Sequence, residues 1–335
     1  MSGKSYCNNN FPELHWNNIK TYSLSERPSK VNRVDFSKPL PPSSTFLSFW
    51  DSFPDILAAK DLKEIVAGII TAREKRKPVL WGIGAHVIKV GLSPVLISLL
   101  EEGFISLLAM NSAGIIHDVE LALSGQTSED VPHAMRDGTF GMAHETAEFI
   151  NKAAVTASDT KKGFGAVLGE LLFEKKAPYN SDSLLVRCYE AGVPVTVHAV
   201  IGGDIVHMHP SADGGAIGAA SMHDFRCLTQ AVANIGDGGV ILNIGSSVVL
   251  PVVIEKAIAL ARNLGYDVSR FIGVTLDFIR QYRSTLNPVE RANDLGGKGY
   301  TIIGHHELML PLLAAALREV KHSRSLVCEK TGSKR

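Results

Sequence analysis

The sequence carries no excess of either charge, with Lys+Arg and Asp+Glu both at 34. No global field therefore draws it to nucleic acid or to an anionic membrane, and neither is expected as a partner. Cysteine is scarce: four residues at 7, 188, 227 and 328, with no CxxC pair. That scatter argues against a disulfide frame or a thiolate zinc site and fits a reducing cytoplasm. No apolar run reaches the length of a membrane span, and the opening MSGKSYCNNNFPELHW has no apolar h-region, so no signal peptide is expected. The complete GxGxxG fingerprint of dinucleotide turns is also missing.

What remains is the balance of an enzyme-sized globular protein, 335 residues with 45% hydrophobic and 20% charged. Residues 1–45 are polar, with Asn8-Asn9-Asn10 and Pro39-Leu40-Pro41-Pro42, and read as an extended arm able to lie over a neighbouring subunit. Residues 46–320 show no repeat and no convincing linker and read as one domain, followed by a basic, frayed tail over 321–335. Apolar, often β-branched runs at 79–83, 105–110, 193–197, 240–242, 271–276 and 300–303 read as strands. Helical patterns alternate with them, among them 61–76, 93–102, 139–158, 163–175, 183–191, 222–235 and 307–320. Three stretches read as loops: a polar lid over 125–138, a Gly/Ala-rich run up to Ala220, and a polar segment over 283–298. Repeated strand–turn–helix units predict an α/β fold, a mainly parallel sheet with helices on both faces.

The stretch 238–262 organises the rest. Its strand breaks at Asn243-Ile244-Gly245-Ser246-Ser247, and a long apolar helix is expected to start near Pro251, which suits a first helical turn. A small-residue turn at a helix N-terminus leaves N–H groups free for an anion such as a pyrophosphate. A tight turn that binds nothing is the alternative. The turns at Ala85-His86 and at Asn111-Ser112-Ala113-Gly114 have the same position at a strand's C-terminal end, where open parallel sheets bind ligands.

The histidines are placed unusually. His86, His117, His198, His207, His209, His305 and His306 all fall at or just beyond predicted strand ends, or at helix starts. His207-Met208-His209 suits a metal if it lies on a strand, because alternate side chains then share a face, and Asp204 or Asp118 could complete the set. Acid/base work is the other use of such imidazoles. Asp204, after Gly202-Gly203, could accept a ribose hydroxyl or a substrate ammonium, or simply close an Asx turn. Lys298, in Gly296-Gly297-Lys298-Gly299, reads as a lysine on a mobile loop, a solvated charge, or a phosphate or carboxylate holder, or a nucleophile if desolvated. Glu145 and Glu148 read as solvated charges.

In the order of these motifs the chain resembles the deoxyhypusine synthase family over residues 79–320. Ala85-His86-Val87-Ile88-Lys89-Val90-Gly91-Leu92 is similar to its first cofactor turn, and the run from Asn111 to Asp118 to its Thr-Thr-Ala-Gly-Gly segment. Val193-Pro194-Val195, Gly203-Asp204, Gly245-Ser246-Ser247 and Glu307-Leu308-Met309-Leu310-Pro311-Leu312-Leu313 match later parts. The resemblance implies a Rossmann-like NAD-binding fold, a homotetramer with sites between subunits, and chemistry on an amine such as spermidine. Three departures stand out. Val248-Val249-Leu250-Pro251 replaces the family's paired histidines, and Gly297-Lys298 is only a loose counterpart of its Trp-Gly-Lys nucleophile. His117 and His305 stand where the family has carboxylates, which weakens the grip on a polycation.

The combined expectation is an NAD-dependent enzyme that dehydrogenates a small amine, possessing transferase-like chemistry but not making hypusine. NAD is expected along Ala85, His86, Asn111, Ser112, Ala113, Gly114, Asp204, Gly245, Ser246 and Ser247. Lys298 is the candidate nucleophile, and His117, His207 and His305 are the acid/base candidates. The alternatives are a metal-dependent hydrolase using His207, His209 and Asp204, and a nucleotide-binding protein without catalysis.

Overall fold

The computed structural model of the chain describes residues 14–332. Residues 1–13 of the arm and 333–335 of the tail lie outside the described residues. The arm from 14 to 45 is largely exposed and holds only three short 3-10 turns. Two helices follow, α1 Phe46–Ser52 and α2 Leu57–Glu74, and then the first unit: β1 Val79–Ile83, α3 Ala85–Lys89, α4 Ser93–Glu101. Next come β2 Leu107–Asn111, α5 Ser112–Ser124, α6 Val131–Asp137, α7 His144–Thr160, α8 Phe164–Lys175 and α9 Leu184–Ala191. After β3 Val195–His198 the chain runs through α10 Gly214–Val232, β4 Val240–Ile244, α11 Val249–Asn263 and β5 Ile272–Asp277. It closes with α12 Tyr282–Ser284, α13 Arg291–Asp294, β6 Lys298–Ile303 and α14 His306–Gly332.

The six strands form one sheet in the order β3-β2-β1-β4-β5-β6, and all five pairings are parallel. This is the Rossmann order. The strands alternate between two cores. Val79, Trp81 and Ile83 of β1 and Val240, Leu242 and Ile244 of β4 face the larger one, with α2, α4 and α14. Leu80 and Ile241 face the other, against Leu228 and Val232 of α10 and Ile254 and Ile258 of α11. A period of two along each strand thus sends helices to both faces. Each fully buried Leu or Ile contributes about 1.5–3 kcal/mol, so the strands hold their register firmly. Trp81 sits at the centre with no exposed surface, its indole N–H donating to the Phe104 carbonyl at 3.0 Å.

Several boundaries differ from the sequence expectation. The Gly/Ala-rich run before Ala220 is the first half of α10. Asp213 caps that helix by accepting from Ala216 N at 2.9 Å, and Ala216, Ile217 and Ala220 are buried, small enough to pack closely. The lid contains α6, started by Asp130 accepting from His133 N. The segment expected as a polar loop over 283–298 is mostly helical, because Asn287, Pro288, Val289 and Ala292 are buried. Helix α14 continues to Gly332 rather than stopping at 320. Helix α11 begins two residues before Pro251, which lies in its first turn as expected.

Candidate functional site

Three strands added on each side of the β1–β4 boundary make that boundary the switch point, where crossovers leave in opposite directions and open a crevice. The chain is drawn tight there. Gly84 N donates to Ile244 O at 2.7 Å, and a Cβ on Gly84 would lie 2.0 Å from Gly245 O. Gly245 has φ +69, and a Cβ there would meet the His306 ring at 2.6 Å. Only glycine fits either position.

Because every strand runs the same way, the turns at Ala85-His86, Asn111–Gly114, Asp204, Gly245–Ser247 and His305 all reach one rim. They do not do the same work there. Asn111 Oδ1 is taken up in capping α5, accepting from Gly114 N at 3.1 Å. Ser246 is buried, and its Oγ accepts from Leu250 N at 3.2 Å, so it caps α11. Ser112 is buried at the first position of α5 with no partner for its hydroxyl. His86, Phe278 and His306 pack as a ring cluster with centroids 5.5–5.6 Å apart. His305 is exposed and stacks on Phe278. His306, its buried neighbour, lies against Gly245 instead. Burial lowers its pKa, opposed by Asp277, whose Oδ1 is 3.7 Å from Nε2.

The open cleft lies on the β1–β2–β3 side of this rim. It has a volume of about 270 Å³, walled by Lys89 of α3, Ala113, His117 and Glu120 of α5, Ser128 and Glu129 of the lid, and Asp204 after β3. Its charges are one ammonium (Lys89) against three carboxylates (Glu120, Glu129 and Asp204).

His117 has a defined proton arrangement. Thr127 Oγ1 donates its single hydrogen to Glu120 Oε2 at 2.5 Å and lies 2.6 Å from His117 Nδ1. With that hydrogen committed, the imidazole donates from Nδ1 and keeps the lone pair on Nε2. Burial lowers the His117 pKa, with Glu120 opposing and Lys89 adding to the shift, so the neutral ring is favoured. The i,i+3 spacing of His117 and Glu120 is a signal available in the sequence; Thr127 offers none, since its contact forms only when the lid folds back.

Other expected residues lie away from the cleft or are already engaged. Lys298 is the first residue of β6 and so stands at the opposite edge of the sheet, about 17 Å of strand from the rim. It is exposed and paired with Glu64 Oε2 at 2.9 Å, so it is neither on a loop nor desolvated. His207 lies in a 3-10 turn, not a strand, so His207 and His209 share no face. His207 Nδ1 accepts from Gly202 N at 3.2 Å and its Nε2 is 3.8 Å from Asp204, closing the loop on itself rather than lining the cleft. His207, His209 and Asp204 therefore do not form a ligand set. Asp118 is fully buried and caps α9, accepting from Leu184 N at 2.8 Å, Leu185 N at 3.1 Å and Ser183 Oγ at 2.6 Å. Burial pushes it up to about 6. His198 is buried at the end of β3, its pKa lowered to about 4 by desolvation.

No protein-family model and no curated protein matches the chain. Among solved structures it is similar to an Entamoeba histolytica protein provisionally described as a deoxyhypusine synthase. The TM-score is 0.51 at 10% identity, over 85% of this chain and 97% of that one. The two share a fold. It is also similar to AgrE, solved as a ternary complex with ornithine and NAD+, at TM-score 0.49 and 15% identity over 77% of this chain. The chain spans only about a third of AgrE, 33% of its length, and that likeness has no bearing on the reading of the site.

Proposed function

We propose that the protein is an NAD-dependent enzyme that dehydrogenates a small amine, with the cofactor on the switch-point rim and the amine in the adjoining cleft. The observation that carries this reading is the His117–Thr127–Glu120 chain opening onto a cleft where carboxylates outnumber ammonium groups three to one. The rim residues fit a dinucleotide in kind. The Rossmann strand order, the glycine contact at Gly84–Gly245, and the buried Ser112 hydroxyl without a partner at the start of α5 all favour an anion near the strand ends. Ala85, His86, Ser112, Ala113 and Gly114 would hold it, with Gly245 and Ser247 on the far side of the crevice. Bound there, the nicotinamide supplies the hydride acceptor.

The protein's own part is positioning and proton transfer. Asp204 and Glu129 attract an ammonium into the cleft, and Glu129 is held by Gly141 N at 2.9 Å. His117 Nε2 takes the proton that must leave the nitrogen before dehydrogenation. Glu120, acting through Thr127, stabilises the imidazolium that results. The cleft of about 270 Å³ suits a small amine. With Lys298 on the opposite edge, the acceptor in any transfer step is an external amine. Association into a homotetramer in the cytoplasm belongs to the same proposal. Exposed Trp16, Tyr22 and Leu24 of the arm support the first part, and free Cys188 and Cys227 the second. No helix among the described residues is long and apolar enough to cross a membrane.

The test is calorimetric titration of the protein with NAD+, followed by turnover across a panel of small amines read as NADH absorbance. Saturable binding, with turnover lost in His117→Gln, is expected. No binding at millimolar NAD+ overturns the cofactor, and full activity in His117→Gln overturns the base.

A further inference from the structure

Helix α7 presents His144 and Glu148 four residues apart, and so on one face. The loop after β3 returns His209 to the same place. One ligand atom from each residue, two imidazole nitrogens and a carboxylate oxygen, lies within 4.8 Å of the other two. The His144 and His209 rings are 5.8 Å apart, and His209 Nδ1 is 3.8 Å from Glu148 Oε1. His209 is also fixed at Nδ1, which leaves Nε2 as the nitrogen free to ligate. Its Nδ1 lies 2.8 Å from Ser211 Oγ, and that oxygen accepts from Asn151 Nδ2 of α7 at 3.0 Å. Asn151 is buried and also donates to Val206 O at 3.0 Å. A bracing hydrogen bond of this kind is what orients a ligating imidazole.

We infer that His144, Glu148 and His209 form a site for a divalent first-row transition metal of the zinc class. Two imidazoles and one carboxylate are borderline donors that suit zinc over magnesium or calcium. Bonds of about 2.0–2.2 Å place tetrahedral ligand atoms about 3.4 Å apart, so closure from 4.8 Å needs only rotamer changes. His144 and Glu148 are exposed and free to make them. The positive end of the α7 dipole opposes a cation, and Glu145 and Glu148 in its first turns offset it.

The site would tie the loop of residues 202–209 to α7. That loop carries Asp204 and Ile205 into the cleft, so the metal is a clamp on the cleft's floor and takes no part in the proton transfer. The set differs from the one expected from sequence. His209 is retained, while His144 and Glu148 replace His207 and Asp204, because the turn after Asp204 directs His207 away.

The experiment is titration of the tag-free, chelator-treated full chain with ZnSO4 alone, read by calorimetry and by thermal unfolding. One Zn2+ per chain is expected, with a rise in melting temperature. His144→Ala and Glu148→Gln, both at exposed positions, should each weaken binding at least tenfold and abolish the rise, while His223→Ala, exposed on α10, should change neither. Absence of stoichiometric binding at micromolar Zn2+, or undiminished binding in both site variants, overturns the inference. Neither outcome bears on NAD binding, so this test stands apart from the one above.

Discussion

Gly84→Ala is the sharpest test of the rim geometry. Gly84 has φ −78 and ψ 158, ordinary extended values, so alanine brings no backbone strain. The whole effect is contact: the new Cβ would sit 2.0 Å from Gly245 O and 2.6 Å from its carbonyl carbon. An ordinary C···O approach is about 3.3 Å, so the ends of β1 and β4 must separate by more than 1 Å. Backbone on both sides leaves no side chain to swing away. Overpacking of this kind costs about 1–3 kcal/mol, and losing the 2.7 Å bond from Gly84 N to Ile244 O adds about 1 kcal/mol. With a urea m-value of about 3 kcal/mol/M, the midpoint should fall by about 1 M. NAD affinity should fall at least tenfold, since the rim itself opens. Gly218→Ala is the control. It lies inside α10 with nothing within 4 Å of where its new Cβ would sit, and should gain up to about 1 kcal/mol from helix propensity. If Gly84→Ala keeps the wild-type midpoint, or the two variants shift together, the close contact at the switch point is wrong.

Three further outcomes are expected. His198, held at about 4 when folded, binds its proton less tightly than in the unfolded chain, so its contribution is full above pH 6.5 and lost as pH falls towards 4. Buried Asp118 slopes the other way, so the comparison is wild type against His198→Asn. That difference should change by up to about 3 kcal/mol between pH 7 and 4, and a constant difference in denaturant midpoints contradicts it. Thr127→Val should lower turnover by about ten- to a hundredfold and release the His117 tautomer, read from imidazole 15N shifts, with Thr127→Ser restoring both. Lys298→Ala should leave NAD binding and turnover unchanged; loss of activity would put that lysine back in the reaction.

Pattern along the chain is enough to place the sheet and the rim where its strands end. Fully apolar runs such as Val79–Ile83 have only one comfortable place, a strand buried on both faces. Small residues at strand ends mark where the chain must turn. Parallel direction then carries Asn111, Asp204, Gly245 and His305 to one rim, without knowledge of any single contact. Local patterns misled where burial overrode composition. The Gly/Ala run of α10 and the segment around Pro288 look like loops by residue type, yet are ordered by what packs against them. Lys298 looked mobile among its glycines, but those glycines allow β6 to lie close: a Cβ on Gly299 would be 2.2 Å from Val289 O.

Which side chains cooperate depends on how distant segments pack. His305 and His306 are adjacent in sequence, and the direction of the strand end alone makes one exposed and the other a buried partner of Gly245. Glu120 reaches His117 through a lid residue ten positions away from that imidazole. His209 meets His144 and Glu148 across more than fifty residues of chain. Periodicity is a property of neighbours along the chain and can be read from it. Proton relays and ligand sets depend on distances between separate segments, which are fixed only when the sheet, the lid and α7 have packed.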